Sequence, residues 1–234
     1  MEPFTDGRHD RAPAEEWVFT CWSHDATCGV ISGHRIVGRR NWYWAALARA
    51  GQPLLHVTDF DVPVRSDPFI VKGEALWAEH HCDDPMRQWS IGNETYAASL
   101  DDPEEALDRA YGDPTPIAFD LEWYATGDPV GLPASQLPDG SFGYEQSGEV
   151  LGEIEVLGID PVRFRAVPAR RWHRWLDPWD AALVGTTELP PLDLPVAAAH
   201  TAVRAPFRFP DGTVTDWVLT SDGWRRRRDR QANP

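Results

Sequence analysis

The sequence predicts a mainly β fold: an antiparallel β-barrel or half-closed sandwich with one short helix and a C-terminal hairpin. Period-two alternation of apolar and polar residues recurs along the chain, as half-buried strands require. Twelve tryptophans, 21 prolines and 18 glycines among 234 residues favour short strands and turns over long helices. Residues 143–179, GYEQSGEVLGEIEVLGIDPVRFRAVPARRWHRWLDPW, hold a hairpin followed at once by a dense cluster of rings and cations.

Taken in order, residues 1–15 are polar and acidic and read as a disordered tail. They lack the basic start and apolar core of a signal peptide, so a cytoplasmic protein is expected. Strands follow at 17–25, 27–33 and 39–51. In the first, Trp17, Phe19 and Cys21 share one face and Val18, Thr20 and Trp22 the other. Both faces are partly apolar, as in a strand that lines a barrel and is covered outside. Residues 54–64 and 69–71 are further strands, punctuated by Pro53, Pro63 and Pro68. Strands 74–79 and 88–100 flank the Asp83-Asp84-Pro85 turn. In the second of these, Trp89, Ile91, Asn93, Thr95 and Ala97 share a face opposite Ser90, Gly92, Glu94 and Tyr96. A mid-strand Asn and Glu fit a polar pocket lining as well as an outward face.

One helix starts at Asp102, with Pro103 at the first helical position, Glu105 completing a capping box and Gly112 as a stop. Ala106, Leu107, Ala110 and Tyr111 form its expected buried side. Residues 117–125 are a strand and 127–140 a loop over an opening. In the hairpin, Val150, Gly152, Ile154 and Val156 alternate with Leu151, Glu153 and Glu155, and Val162, Phe164 and Ala166 alternate with Arg163 and Arg165. A turn at Gly158-Ile159-Asp160, closed by Pro161, places Glu155 across from Arg163, Glu153 across from Arg165 and, farther along, Glu145 across from His173. A Pro- and Ala-rich connection then leads to strands 206–209 and 214–220, paired across Asp211-Gly212.

The net charge of −15, with a tail at 225–230 holding five arginines and one aspartate, leaves −19 on the remainder (−15 minus +4), which repels phosphate backbones. Nucleic acid is not an expected partner. No apolar run is long enough to span a membrane. Cys21, Cys28 and Cys82 are odd in number and lack CxxC spacing, which predicts free thiols. His80, His81 and Cys82 are consecutive, so neighbours point to opposite faces; His80 and Cys82 share a face, but two ligands do not close a zinc site. No metal is expected. Neither a nucleophile elbow nor a phosphate loop occurs, and no cofactor is expected.

The run Tyr144-Glu145-Gln146, Gly148-x-Val150-x-Gly152, Gly158 and Arg171-Trp172-His173-Arg174-Trp175 resembles the lipocalin-like AttH and carotenoid 1,2-hydratase (hydroxyneurosporene synthase) superfamily. There a strand pair leads to a motif Arg-Asp-His-Ser-Trp-Gly. Arg171, His173 and Trp175 match it; Trp172, Arg174 and Leu176 depart from it. The resemblance covers about residues 17–179 of a chain too short for the two full calycin barrels common in the superfamily. It implies a lipocalin-like barrel binding an isoprenoid or polyketide-like molecule, with cofactor-independent hydration, isomerisation or cyclisation as the chemistry. The alternative is a calycin that binds or interacts without catalysis.

On this reading residues 1–15 are a tail, 16–180 the barrel, 181–224 a connection and hairpin packed on it, and 225–234 an Arg-rich tail. Buried carboxylic acids with raised pKa, and indoles facing a developing cation, suit the chemistry. Glu145, His173 and Glu94 are the candidate catalytic groups, with Glu122 as a further acid. Tyr144, Gln146, Asn93, Arg171, Trp175, Trp89, Trp123 and Trp22 are the candidate ligand contacts.

Overall fold

The computed structural model describes residues 4–9, 12–132, 141–176 and 203–227. Strands β1 (Ala14–Trp22), β2 (Cys28–Val37), β3 (Arg40–Arg49), β4 (Leu54–Pro63), β5 (Ile70–Lys72), β6 (Leu76–Asp84), β7 (Gln88–Leu100), β8 (Asp113–Ala125), β9 (Val130–Gly131), β10 (Ser141–Val156) and β11 (Ile159–Leu176) form one antiparallel sheet. Its order is β4-β3-β2-β1-β11-β10-β8-β7-β6-β5, with β9 beside β10, and β4 also meets β7. Eight strands therefore close a calycin-like ring. The closing seam is short: Leu54, Leu55 and His56 pair with Leu100, Ser99 and Ala98, whereas the rest of β7 pairs with β6. The ring is shut at one end and splayed at the other, which joins the two expected architectures in one sheet.

All nine residues of β1 are buried, because its alternate side chains enter two different cores. Trp17, Phe19 and Cys21 point into the ring with Trp89, Ile91 and Trp123. Val18 and Trp22 point outward, under a second sheet of β12 (Arg204–Arg208), β13 (Val214–Thr220) and β14 (Gly223–Arg227) that supplies Phe207, Trp217 and Trp224. Each such side chain contributes about 1.5–3 kcal/mol through removal from water. Trp224 seats flat on Gly29, where an added Cβ would come within 2.8 Å of the indole.

Several local expectations change. The assumed tail 1–15 already includes the start of β1, and Asp6 within it is buried. The expected Arg-rich tail begins as strand β14, with Arg226 reaching Glu16; residues 228–234 lie outside the described residues. So do 133–140 of the expected loop and the connection 177–202. The helix is a 3-10 turn, Pro103–Leu107, in which the Asp102 carboxylate accepts from Glu104 N–H at 3.0 Å. Ala110, at φ 47°, turns the chain away, so of the expected buried side only Ala106 is buried and Tyr111 is exposed. No described helix is long and apolar enough to cross a membrane.

The hairpin register also differs. Val156 pairs with Ile159 around Leu157-Gly158, with Gly158 at φ 80°, so the turn has two residues rather than three. A register shift between the Val156–Ile159 and Ile154–Val162 pairs then sets Glu153 opposite Arg163, which it binds at 2.7 Å. Between the Gly152–Phe164 and Val150–Val167 pairs β11 carries one extra residue, and Ala166 takes φ 51°. Beyond this bulge Tyr144 opposes His173, and Glu145 opposes Trp172. A one-residue slip exchanges faces, so Glu145 cannot share a face with His173.

Candidate functional site

Period-two geometry sends Arg171, His173 and Trp175 of β11 to the inside of the ring, and Trp172 and Arg174 to the outside. The retained half of the motif is thus one strand face. The departures belong to the other face, where Trp172 packs on Trp217 and Arg174 pairs with Glu16.

His173 is fully buried and bonds through both ring nitrogens. Nδ1 lies 2.9 Å from the Thr5 carbonyl oxygen, and Nε2 lies 2.7 Å from Glu15 Oε1. A carbonyl only accepts, so Nδ1 carries a proton; His173 Nε2 and Glu15 then hold one more between them. Burial lowers the His173 pKa, against the opposing influence of the Glu15 hydrogen bond and charge. The imidazole stacks on Trp17 with centroids 4.7 Å apart. His9 donates its backbone N–H to Glu15, places Nδ1 2.6 Å from Oε1, and stacks on Trp175 at 4.1 Å. Glu15 holds this position because it continues the Trp17, Phe19 and Cys21 face of β1.

Beside this pair lies a buried arginine. Arg171 donates to Asp6 Oδ1 at 2.6 Å and to Gln146 Oε1 at 3.0 and 2.7 Å, with its guanidinium 5.0 Å from the Trp123 ring centroid and 5.2 Å from that of Tyr144. Gln146 is held in turn by the carbonyls of Met86 and Gly127, at 3.0 and 2.9 Å. The Tyr144 hydroxyl donates to Asp6 Oδ1 at 2.6 Å, and Met86 N–H donates to Asp6 Oδ2. Burial would raise the Asp6 pKa, but the Arg171 charge and these hydrogen bonds hold it below the ordinary value. The Cys82 thiol, 3.7 Å from Asp6, is pushed up to about 12 by burial and the Asp6 charge, so it stays protonated.

A second polar group sits deeper. His34 Nδ1 and His80 Nδ1 are 2.7 Å apart, His80 Nε2 meets Ser32 at 2.8 Å, and Asn93 donates to Tyr43 at 2.8 Å. Burial pushes His34 down to about 3 and His80 well below its usual value, so both are neutral at pH 7. Trp17 lies between the two polar groups, stacked on His34 as well as on His173. A cavity of about 10 Å³ bounded by Phe19, Ser32, Ile91 and Val150 has room for about one water.

His9, Glu15 and His173 place three possible metal-ligand atoms within 4.8 Å of one another. Their N···O separations of 2.6 and 2.7 Å are hydrogen-bond contacts. Ligands of a tetrahedral zinc stand about 3.3 Å apart.

The structure brings together Tyr144, Gln146, Arg171 and His173, with Trp89 and Trp123 beside them and Trp175 at the rim. Asn93 faces inward too, with the His34–His80 group. The other expected acids do not join them. Glu94 is exposed on the outer face of β7, and Glu145 lies half-buried outside β10, accepting from Trp172 Nε1 at 3.1 Å. Glu122 accepts from Gln88 and Ser90 away from the ring interior. Trp22 is buried beneath the second sheet. The site's carboxylates are instead Asp6 and Glu15, from the segment read as a tail. Continuing the β1 alternation two residues back from Trp17 would have found Glu15; no comparable signal marks Asp6.

The fold and site thus define a calycin-like β-ring with a buried histidine–carboxylate pair and a buried arginine on one inner wall. Residues 2–175 match the family described as a domain of unknown function (DUF7064), and the chain belongs to that family. No match is found among curated proteins. Among solved structures, an AttH-like protein from Nitrosomonas europaea is similar at 14% identity and a TM-score of 0.44, over 94% of this chain and 69% of that one. Kievitone hydratase from Nectria haematococca is similar at 10% identity and a TM-score of 0.39, over 91% of this chain and 63% of that one, less than two thirds of its length. Likenesses this distant bear on neither ligand nor reaction.

Proposed function

We propose that the chain binds a hydrophobic small molecule, isoprenoid or polyketide-like, against the inner wall of β10 and β11, and moves a proton on it without a cofactor. His173 is the acid/base, Glu15 the positioning carboxylate behind it. The observation that carries this reading is the relay from the Thr5 carbonyl through His173 to Glu15. The ligand takes the place of that carbonyl in front of Nδ1. When Nδ1 gives up its proton, the proton held between Nε2 and Glu15 passes to Nε2 and the ring stays neutral. Trp175, which His9 covers, offers an indole face to a cationic intermediate once residues 4–9 are displaced. Hydration, isomerisation and cyclisation all begin with such a step.

The test is incubation with an allylic isoprenoid alcohol such as farnesol in D2O, followed by mass spectrometry. Deuterium incorporation above the buffer rate, lost in His173→Gln with farnesol binding retained, is the expected result. Binding without exchange would remove the catalytic role. A second reading, a calycin that binds or interacts without chemistry, is favoured by the interior between Phe19, Ser32, Ile91 and Val150, where the cavity holds about one water.

A further inference from the structure

Residues 4–9 lie across the inner cluster and present it with groups that a ligand would offer. The Phe4 ring packs on Tyr144 with centroids 5.1 Å apart, the Thr5 carbonyl accepts from His173, and the Asp6 carboxylate takes the Arg171, Tyr144 and Met86 donors. Those three donors all belong to the ring wall and its β6–β7 turn. They are held in place independently of Asp6: Arg171 is also clamped by Gln146, and Gln146 by the carbonyls of Met86 and Gly127. Met86 adopts φ 62°, a conformation that non-glycine residues rarely take and that recurs where a backbone group is aimed at a ligand. A guanidinium, a hydroxyl and a backbone N–H converging on one point form a carboxylate receptor. The rings of Trp89, Trp123 and Tyr144 surround the guanidinium, so a head group bound there would be followed by apolar surface.

We propose that Arg171, Tyr144 and the Met86 N–H constitute a carboxylate-binding site that Asp6 occupies in cis, and that an apolar carboxylic acid enters by displacing residues 4–9. This rests on the reading that the inner wall binds a hydrophobic molecule, and it names the ligand's head group. A ligand competing with a tethered carboxylate binds with its intrinsic affinity reduced by the fraction of molecules whose site is free. Removing Asp6 therefore tightens acids selectively.

The experiment uses the full chain, wild type and Asp6→Ala, with decanoate and decanol as probes read by tryptophan fluorescence, and with acetate read by melting temperature. Asp6→Ala is expected to bind decanoate at least about tenfold more tightly than wild type, while decanol, which gains from the lifted segment but not from the receptor, tightens by clearly less. Acetate, but not acetamide, is expected to raise the melting temperature of Asp6→Ala saturably and to leave wild type unmoved. Tyr144→Phe in the Asp6→Ala background, a milder change than removing Arg171, is expected to lose part of the decanoate gain. Equal tightening of decanoate and decanol would overturn the carboxylate site while leaving hydrophobic binding intact. Acetate rescue without binding of either decyl probe would overturn entry of an apolar acid, and with it the proposed function, while keeping the receptor. Failure of both acetate rescue and decanoate gain would overturn the receptor itself.

Discussion

Glu15 and Glu16 are adjacent in β1, yet they serve two buried charge clusters of different character. Glu15 faces inward to His173 and His9, where single protons are shared and the cover is the short segment 4–9. Glu16 faces outward between Arg35 at 2.5 Å, Arg174, and Arg226 at 3.4 Å, where the charges are permanent and the cover is a three-stranded sheet. Burial would raise the Glu16 pKa, but the three guanidinium groups hold it far below the ordinary value. Full charges under a sheet suit a joint that stays closed. Shared protons under a removable segment suit a site that opens.

The largest effect that separates the two is expected from Glu16→Ala. It leaves the arginines without their shared carboxylate and should cost about 3–5 kcal/mol in urea unfolding. A loss no greater than that of Asp6→Ala would erase the distinction.

Acid probes both faces through their neutral histidines. Burial holds His34, inside the ring, down at about 3, and His56, bonded to Pro206 beneath the outer sheet, down at about 4. Each folded pKa lies below the usual unfolded value of about 6.5, so between those values the unfolded chain binds more protons. Stability is therefore fully present above about pH 6.5 and falls on acidification, by on the order of 2 kcal/mol per histidine at pH 4.5. Urea midpoints at several pH values in His34→Gln and His56→Gln assign the loss to one face or the other. A flat wild-type profile from pH 7 to 4.5 would mean that neither histidine is held neutral by the fold.

Asp6→Ala should cost less than Glu16→Ala, about 1–3 kcal/mol, because lifting residues 4–9 lets water reach Arg171. Thermal melts of the two variants side by side check the order. The smallest effect belongs to the exposed Glu153–Arg163 pair, where Arg163→Glu should change stability by less than about 1 kcal/mol. A loss above about 3 kcal/mol in urea would show a third buried cluster at the hairpin end.

Alternation in the sequence determined which residues of a strand travel together. Trp17, Phe19 and Cys21 parted from Val18 and Trp22, and Arg171, His173 and Trp175 parted from Trp172 and Arg174, because successive side chains on any extended strand point to opposite faces. The existence of the hairpin and the mainly β class follow from the same local rule. Tertiary structure alone decided the pairing of Tyr144 rather than Glu145 with His173, since it depends on two register shifts along the hairpin, one of them at Ala166, a residue type with no preference for positive φ. It alone recruited Asp6. A polar, acidic segment has the same composition whether water or a buried arginine satisfies its carboxylate, and only the folded ring supplies the arginine.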